Sequence, residues 1–104
     1  LITAIARHFK AQVVDSLLVG FKYMADVLYR LESEGEFGDV RGTPDDFILA
    51  TEESHGAMLT EAIRDKDAGA AALLLAELAL DQKRKGKTVL DYLETLYQQF
   101  GYFR

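Results

Sequence analysis

Cysteine is absent from this 104-residue sequence. That excludes disulfides, thiolate metal sites and thiol nucleophiles. It also fits a reducing compartment, so a cytoplasmic location is the expectation. Proline occurs once, and basic residues number 12 against 17 acidic ones, for a formal net charge of −5. No basic block stands out, which argues against a nucleic-acid or anionic-membrane partner. No apolar run reaches the roughly 18 residues that a membrane span needs. What is present is a globular composition, 49% hydrophobic, too rich for a disordered chain and suited to one small domain.

Leu1 to Phe9 places Leu1, Ile2, Ile5, Ala6 and Phe9 at helical spacing, so it reads as an amphipathic helix rather than a signal peptide. A chain that opens inside a helix is expected to be part of a longer polypeptide. Gln12 to Leu18 is β-branched and apolar and reads as a strand broken by Gly20. Phe21, Met24, Ala25, Leu28 and Leu31 then mark an amphipathic helix that Gly35 stops. Glu36 to Asp46 is polar and turn-rich, a loop. Phe47-Ile48-Leu49-Ala50 is apolar on both faces, as in a central strand. The alanine- and leucine-rich run Asp67 to Leu80 predicts the most buried helix, closed by Lys83, Arg84, Lys85 and Gly86. Thr88 is placed to cap a last helix carrying Leu90, Leu93, Leu96, Tyr97 and Phe100, and Gly101 closes it.

This order predicts an α/β protein. The expected form is a truncated layered α/β/α domain, with a small mixed or parallel sheet flanked by about four to five helices. Two strands make a poor core, so a further strand upstream of Leu1 is expected, with residues 1–104 forming most of one domain.

In an open α/β sheet, ligands bind beyond the carboxyl ends of the strands. Three segments are candidates. Val19-Gly20-Phe21-Lys22 combines a glycine, a helix N-terminus and a lysine. Thr51-Glu52-Glu53-Ser54-His55-Gly56 offers carboxylates and a hydroxyl suited to sugar hydroxyls. Arg64-Asp65-Lys66-Asp67 offers cations for a phosphate. Each has a plainer reading taken alone: Gly20 as a strand-to-helix turn, Glu52 and Glu53 as a solvated loop, Arg64 to Asp67 as ion pairs with Asp65 or Asp67 as a helix cap. His55 beside the two glutamates lacks the spacing of a helical zinc motif, and no metal site is expected. His8 needs no function, and Tyr92, Tyr97, Tyr102 and Phe103 read as packing aromatics.

Taken in order, Gly20-Phe21-Lys22, Glu52-Glu53-Ser54-His55-Gly56, Arg64-Asp65-Lys66-Asp67, Gly86-Lys87-Thr88-Val89-Leu90-Asp91 and Phe100-Gly101-Tyr102-Phe103 resemble the α-D-phosphohexomutase family, which includes phosphoglucomutases and phosphomannomutases. The resemblance covers essentially the whole chain and matches the third of the family's four domains, the one carrying the sugar-recognition loop. Its specific part is Glu-Glu-Ser-x-Gly followed eight residues later by Arg-x-Lys-Asp.

The resemblance implies roles for individual residues. Glu52 and Ser54 match positions that hydrogen-bond sugar hydroxyls. Gly20 and Phe21 match a loop lining the substrate cleft, with Lys22 beside it. Arg64 and Lys66 match a basic element facing the cleft, Lys66 being an accessory candidate near the reacting phosphoryl group. His55 occupies a variable position beside the sugar loop. Val19 stands where the family commonly has threonine, and Ala50 and Thr51 where it often has glycine and an aromatic.

The family's phosphoserine nucleophile, its aspartate-rich magnesium loop and its phosphate-binding loop belong to other domains. No Ser-His-Asn-Pro or Asp-Gly-Asp-Gly-Asp run occurs here. The expectation is therefore a sugar-recognition domain, inactive alone, of an enzyme that interconverts hexose 1- and 6-phosphates through a bisphosphate. Magnesium is expected only in the full-length enzyme. The expected partners are a hexose phosphate and the remaining domains. The competing classes are a non-catalytic sugar-phosphate-binding module and a structural module that self-associates through open sheet edges and apolar helix faces.

Overall fold

The computed structural model describes residues 1–103, which form two compact units. One holds residues 14–72 and the other residues 1–13 with 73 onward. The elements in chain order are α1 (Ile2–His8), α2 (Phe21–Glu34), β1 (Glu36–Phe37), β2 (Val40–Arg41), a 3-10 turn (Pro44–Asp46), β3 (Ala50–Thr51), β4 (Ala57–Met58), α3 (Ala68–Arg84) and α4 (Val89–Phe100).

In the unit of residues 14–72, α2 is the organising element. Its apolar stripe buries Phe21, Val27, Leu28 and Leu31, and Met58 of β4 completes the core at 0% exposure. Val14, Leu17, Met24, Phe37, Val40, Phe47 and Ala50 pack around it. Gly35 ends the helix in the left-handed conformation, φ 74°, and its N–H bonds the Leu31 carbonyl, as the glycine stop predicts.

The α/β class holds, with four helices and two small sheets, but the strands lie elsewhere than expected and pair antiparallel. Gln12 to Leu18 forms no strand. Ser16 turns left-handed there, φ 59°, which breaks the pleat. Of the expected strand Phe47 to Ala50, only Ala50 enters a ladder, as the first residue of β3. A strand needs a neighbour to take its backbone groups, and apolar β-branched composition does not supply one. The ladders form where short connections bring the chain back on itself. Phe37 faces Val40 across a turn at Gly38-Asp39, and Ala50 faces Met58. The first hairpin lies in the stretch expected to be a loop.

In the unit of residues 1–13 and 73 onward, α1 runs as the spacing predicts, and His8 meets the rings of Phe9 and Phe100 edge-on at 5.0 and 5.2 Å. Thr88 caps α4 in a reciprocal box with Asp91: the Asp91 N–H donates to the Thr88 hydroxyl at 3.1 Å, and the Thr88 N–H donates to the Asp91 carboxylate at 2.7 Å. The expectation of a deeply buried α3 fails. Its one buried residue is Gln82, while Leu73, Leu74, Leu75 and Leu80 are exposed. A helix apolar on every side needs cover on every side, and the described residues do not provide it. No helix among them is long and apolar enough to cross a membrane.

Candidate functional site

The three candidate segments all fall in the unit of residues 14–72, and local hydrogen bonding fixes each. Gly20 is the N-cap of α2 at φ 119°, ψ 138°, a conformation that a side chain disfavours. No side chain caps this turn. Phe21, the next residue, turns its ring into the core at 6% exposure. Lys22 points out, its ammonium 4.9 Å from the Tyr23 ring centroid.

The second segment is the connection between β3 and β4. The Glu52 N–H donates to the Gly56 carbonyl at 3.1 Å and closes the loop. Glu53, Ser54 and His55 are exposed at its tip, and His55 is held left-handed at φ 70°. Glu52 is half-buried, and its carboxylate folds back toward Gly56. A methyl group at position 56 would stand 2.7 Å from the Glu52 Oε1 and 2.5 Å from the Phe21 Cε2. The absent side chain is what lets this loop lie against the Phe21 ring.

The third segment is returned to the same place by one bond, from the Asp67 N–H to the Ala57 carbonyl of β4 at 2.8 Å. Asp67 also caps α3, its carboxylate accepting from the N–H groups of Gly69 and Ala70 at 2.9 and 3.1 Å. The Lys66 ammonium then lies 5.6 Å from the centroid of the Phe21 ring, within the range of a cation–π contact. Asp65 accepts from the Lys66 N–H at 2.7 Å and from its ammonium at 3.1 Å. The backbone bond first, then the side-chain bond, holds the Asp65 carboxyl below the usual carboxylate range. The Lys66–Asp65 pair is open to solvent, so it is weak and its ammonium can take another anion.

An open cavity of about 460 Å³ is lined by Gly20, Phe21, Lys22, Arg64, Asp65 and Lys66. It joins the first and third segments, while Glu52, Ser54 and His55 of the second are not among its walls. Arg64 is a wall of this cavity and is also ion-paired. Its guanidinium donates to the Glu32 carboxylate at 2.8 Å. Glu32 lies about 16 Å further along α2 than Phe21, at about 1.5 Å per residue.

Sequence reasoning named Gly56 only as the end of the loop motif, gave no role to Glu32, and read Asp65 as an ion-pair partner or helix cap. A small residue ending a polar loop was a usable signal for the first. Nothing local marks Glu32 as a partner of Arg64. Among the described residues, no cluster of three His, Asp or Glu side chains is arranged to hold a metal ion.

The family model for "phosphoglucomutase/phosphomannomutase, alpha/beta/alpha domain III" matches residues 1–100 of the chain. The chain is 32% identical over 98 residues to a phosphoglucomutase of Staphylococcus aureus (strain USA300), covering 94% of this chain and 16% of that protein. It is 30% identical over 91 residues to a phosphoglucomutase of Staphylococcus haemolyticus (strain JCSC1435), covering 88% of this chain and 15% of that protein. The chain thus spans about one sixth of the length of these curated relatives. No solved structure gives a significant match.

Proposed function

Because the chain belongs to the phosphoglucomutase/phosphomannomutase family as an α/β/α domain III, we propose that it is the sugar-recognition domain of a phosphohexomutase. The parent enzyme would interconvert hexose 1-phosphate and hexose 6-phosphate. A phosphoserine in another domain gives its phosphoryl group to the free hydroxyl of the sugar, and the bisphosphate so formed returns the other phosphoryl group to that serine. Such transfer is governed by positioning and charge stabilisation.

In this reading Glu52 and Ser54 accept hydrogen bonds from sugar hydroxyls, with His55 beside them. Gly20, Lys22 and Lys66 border the space for the phosphoryl end. Lys66 neutralises negative charge there and exchanges its Asp65 contact for a phosphoryl oxygen. Arg64 acts through its bond to Glu32, holding the Lys66 segment on α2. The described residues do not fit a magnesium site, so the proposal assigns this chain no step through the ion. The remaining domains would supply the ion and the nucleophile, and they are the proposed macromolecular partners.

The observation that carries this reading is the meeting of Gly56, Glu52 and Lys66 at the single ring of Phe21. Acidic loop and cation thereby come to one place, as a ligand with hydroxyls at one end and phosphate at the other requires. The test is steady-state kinetics of the full-length protein on glucose and mannose phosphates. Glu52→Gln is expected to raise KM about tenfold, by loss of a charge-assisted bond. Lys66→Met is expected to lower kcat at least tenfold. Normal constants in both variants overturn the assignment. Micromolar binding without turnover in the full-length protein favours a non-catalytic binding module.

A further inference from the structure

We infer that Phe21 is a positioning residue that couples the sugar loop to Lys66, with Gly56 as the contact through which the loop is set. The inference rests on the functional reading above and adds a specific device to it. The ring is 6% exposed, so it offers almost no surface to a ligand. Its environment is nonetheless polar on two sides. The Lys66 ammonium lies 5.6 Å from its centroid. The loop backbone presses on its edge so closely that a Cβ at position 56 would fall 2.5 Å from Cε2 and 3.0 Å from Cζ. The same Cβ would meet the Glu52 Oε1 at 2.7 Å. The ring edge and the Glu52 carboxylate therefore both border the space that a side chain at position 56 would take.

The ring itself is fixed from behind. Phe21 is the first residue of α2, anchored by the Gly20 cap, and it packs in the cluster of Val27, Leu28, Leu31 and Met58. A rigid support of this kind is what positions charged groups that are themselves open to solvent. Lys66 has 61% of its side chain exposed, and its solvent-screened bond to Asp65 gives it little orientation. The face of an aromatic ring attracts an ammonium and restricts where it dwells. Gly56 leaves room for Glu52 to fold inward. A larger residue there would drive the carboxylate and the ring apart.

The geometry separates two variants. Phe21→Leu removes the aromatic face and the edge contact together. Phe21→Tyr keeps the face toward Lys66 but adds a hydroxyl at the para carbon, Cζ, which lies against position 56. In the full-length enzyme, Phe21→Leu is expected to lower kcat about fivefold and raise KM about fivefold. Phe21→Tyr and Gly56→Ala are expected to raise KM by a similar factor with kcat within twofold of wild type. The effect of Phe21→Leu on kcat should vanish in a Lys66→Met background, because coupled residues are not additive. A residue that serves packing alone would change neither constant once the folded fraction is counted.

Wild-type protein provides a reading independent of any variant. With selectively labelled lysine, the ε-protons of Lys66 should be shifted upfield by the ring. Absence of that shift overturns the inference, as do wild-type constants in folded Phe21→Leu and Gly56→Ala enzymes or an additive Phe21–Lys66 cycle. If Phe21→Leu does not fold, the Phe21→Tyr kinetics and the wild-type shift decide. Wild-type activity in Glu52→Gln and Lys66→Met marks failure of the functional reading itself. Loss of activity in those two with none in the Phe21 and Gly56 variants marks failure of this inference alone.

Discussion

The guanidinium of Arg64 reaches back thirty-two residues to the carboxylate of Glu32 and donates to it at 2.8 Å. Arg64 keeps 31% of its side-chain surface exposed and Glu32 57%, so water screens the pair in part. Its contribution to stability is then modest, about 0.5 kcal/mol. Its larger effect is geometric, because it ties the segment that carries Lys66 to α2. Glu32→Gln and Arg64→Gln should therefore lower kcat/KM of the full-length enzyme alike, by about twofold to threefold. A double variant should be no worse than either single one. A loss with Arg64→Gln that Glu32→Gln does not share would show Arg64 touching the ligand directly.

His55 is held at φ 70° in the tip of the β3–β4 loop, where a side chain costs about 1 kcal/mol. His55→Gly should leave unfolding stability equal or slightly higher. His55→Val, with a branched Cβ in the same conformation, should lower it by about 1–2 kcal/mol. Urea unfolding of the two variants checks this, and equal stabilities would show that the loop relaxes at no cost.

Met58 is fully buried in the core of residues 14–72, whereas Leu73 on α3 is 64% exposed. Met58→Ala should cost about 2–5 kcal/mol, the loss of a packed side chain plus the cavity left behind. Leu73→Ala should change stability by no more than about 0.5 kcal/mol. Denaturant midpoints at constant slope give the comparison.

The cap of α4 carries a pH dependence. The Thr88 N–H, and then the Thr88 hydroxyl, hold the Asp91 carboxyl below its ordinary value of 3.8. A depressed carboxylate contributes stability that is present above that ordinary value and is lost as pH falls through the lowered one. Thr88→Ala should cost about 1 kcal/mol near neutral pH. It should also move the Asp91 titration part of the way back toward the ordinary value. The backbone bond remains, so the return should be incomplete. Carboxyl chemical shifts followed through an acid titration give the result.

The helices were legible because their signals are local. Gly20, Gly35, Thr88 and Gly101 sit at the ends of α2 and α4 where cap chemistry puts them, and Asp67 caps α3. The strands were not, because pairing is not a local property. Val13, Val14 and Leu17 have the composition of a strand, and Ser16 still turns left-handed with no ladder beside it. Gly38-Asp39 was a readable hairpin turn that the polar character of its surroundings masked. The order of the three candidate segments was visible, as was the aromatic among them. Their convergence on that aromatic was not. It depends on a bond from Asp67 to Ala57 and on the missing Cβ of Gly56, and neither leaves a periodic trace. The Arg64 charge pointed to an anion in the sequence, and in the fold a glutamate of the same chain meets it.

The sequence has two methionines, and the fold treats them differently. Met24 is only partly buried at the margin of the core, while the Met58 thioether is sealed within it. Peroxide reaches a thioether only where solvent does, and the product is a polar sulfoxide. Met24 should therefore oxidise in the native protein, and Met58 only during excursions that open residues 14–72. The ratio of the two sulfoxides, read by mass spectrometry over time, becomes an internal clock for those openings. Oxidation of Met58 would also hold the unit open, since a sulfoxide cannot return to that core without disrupting it, so oxidative damage at this one sulfur would accumulate as molecules that no longer close.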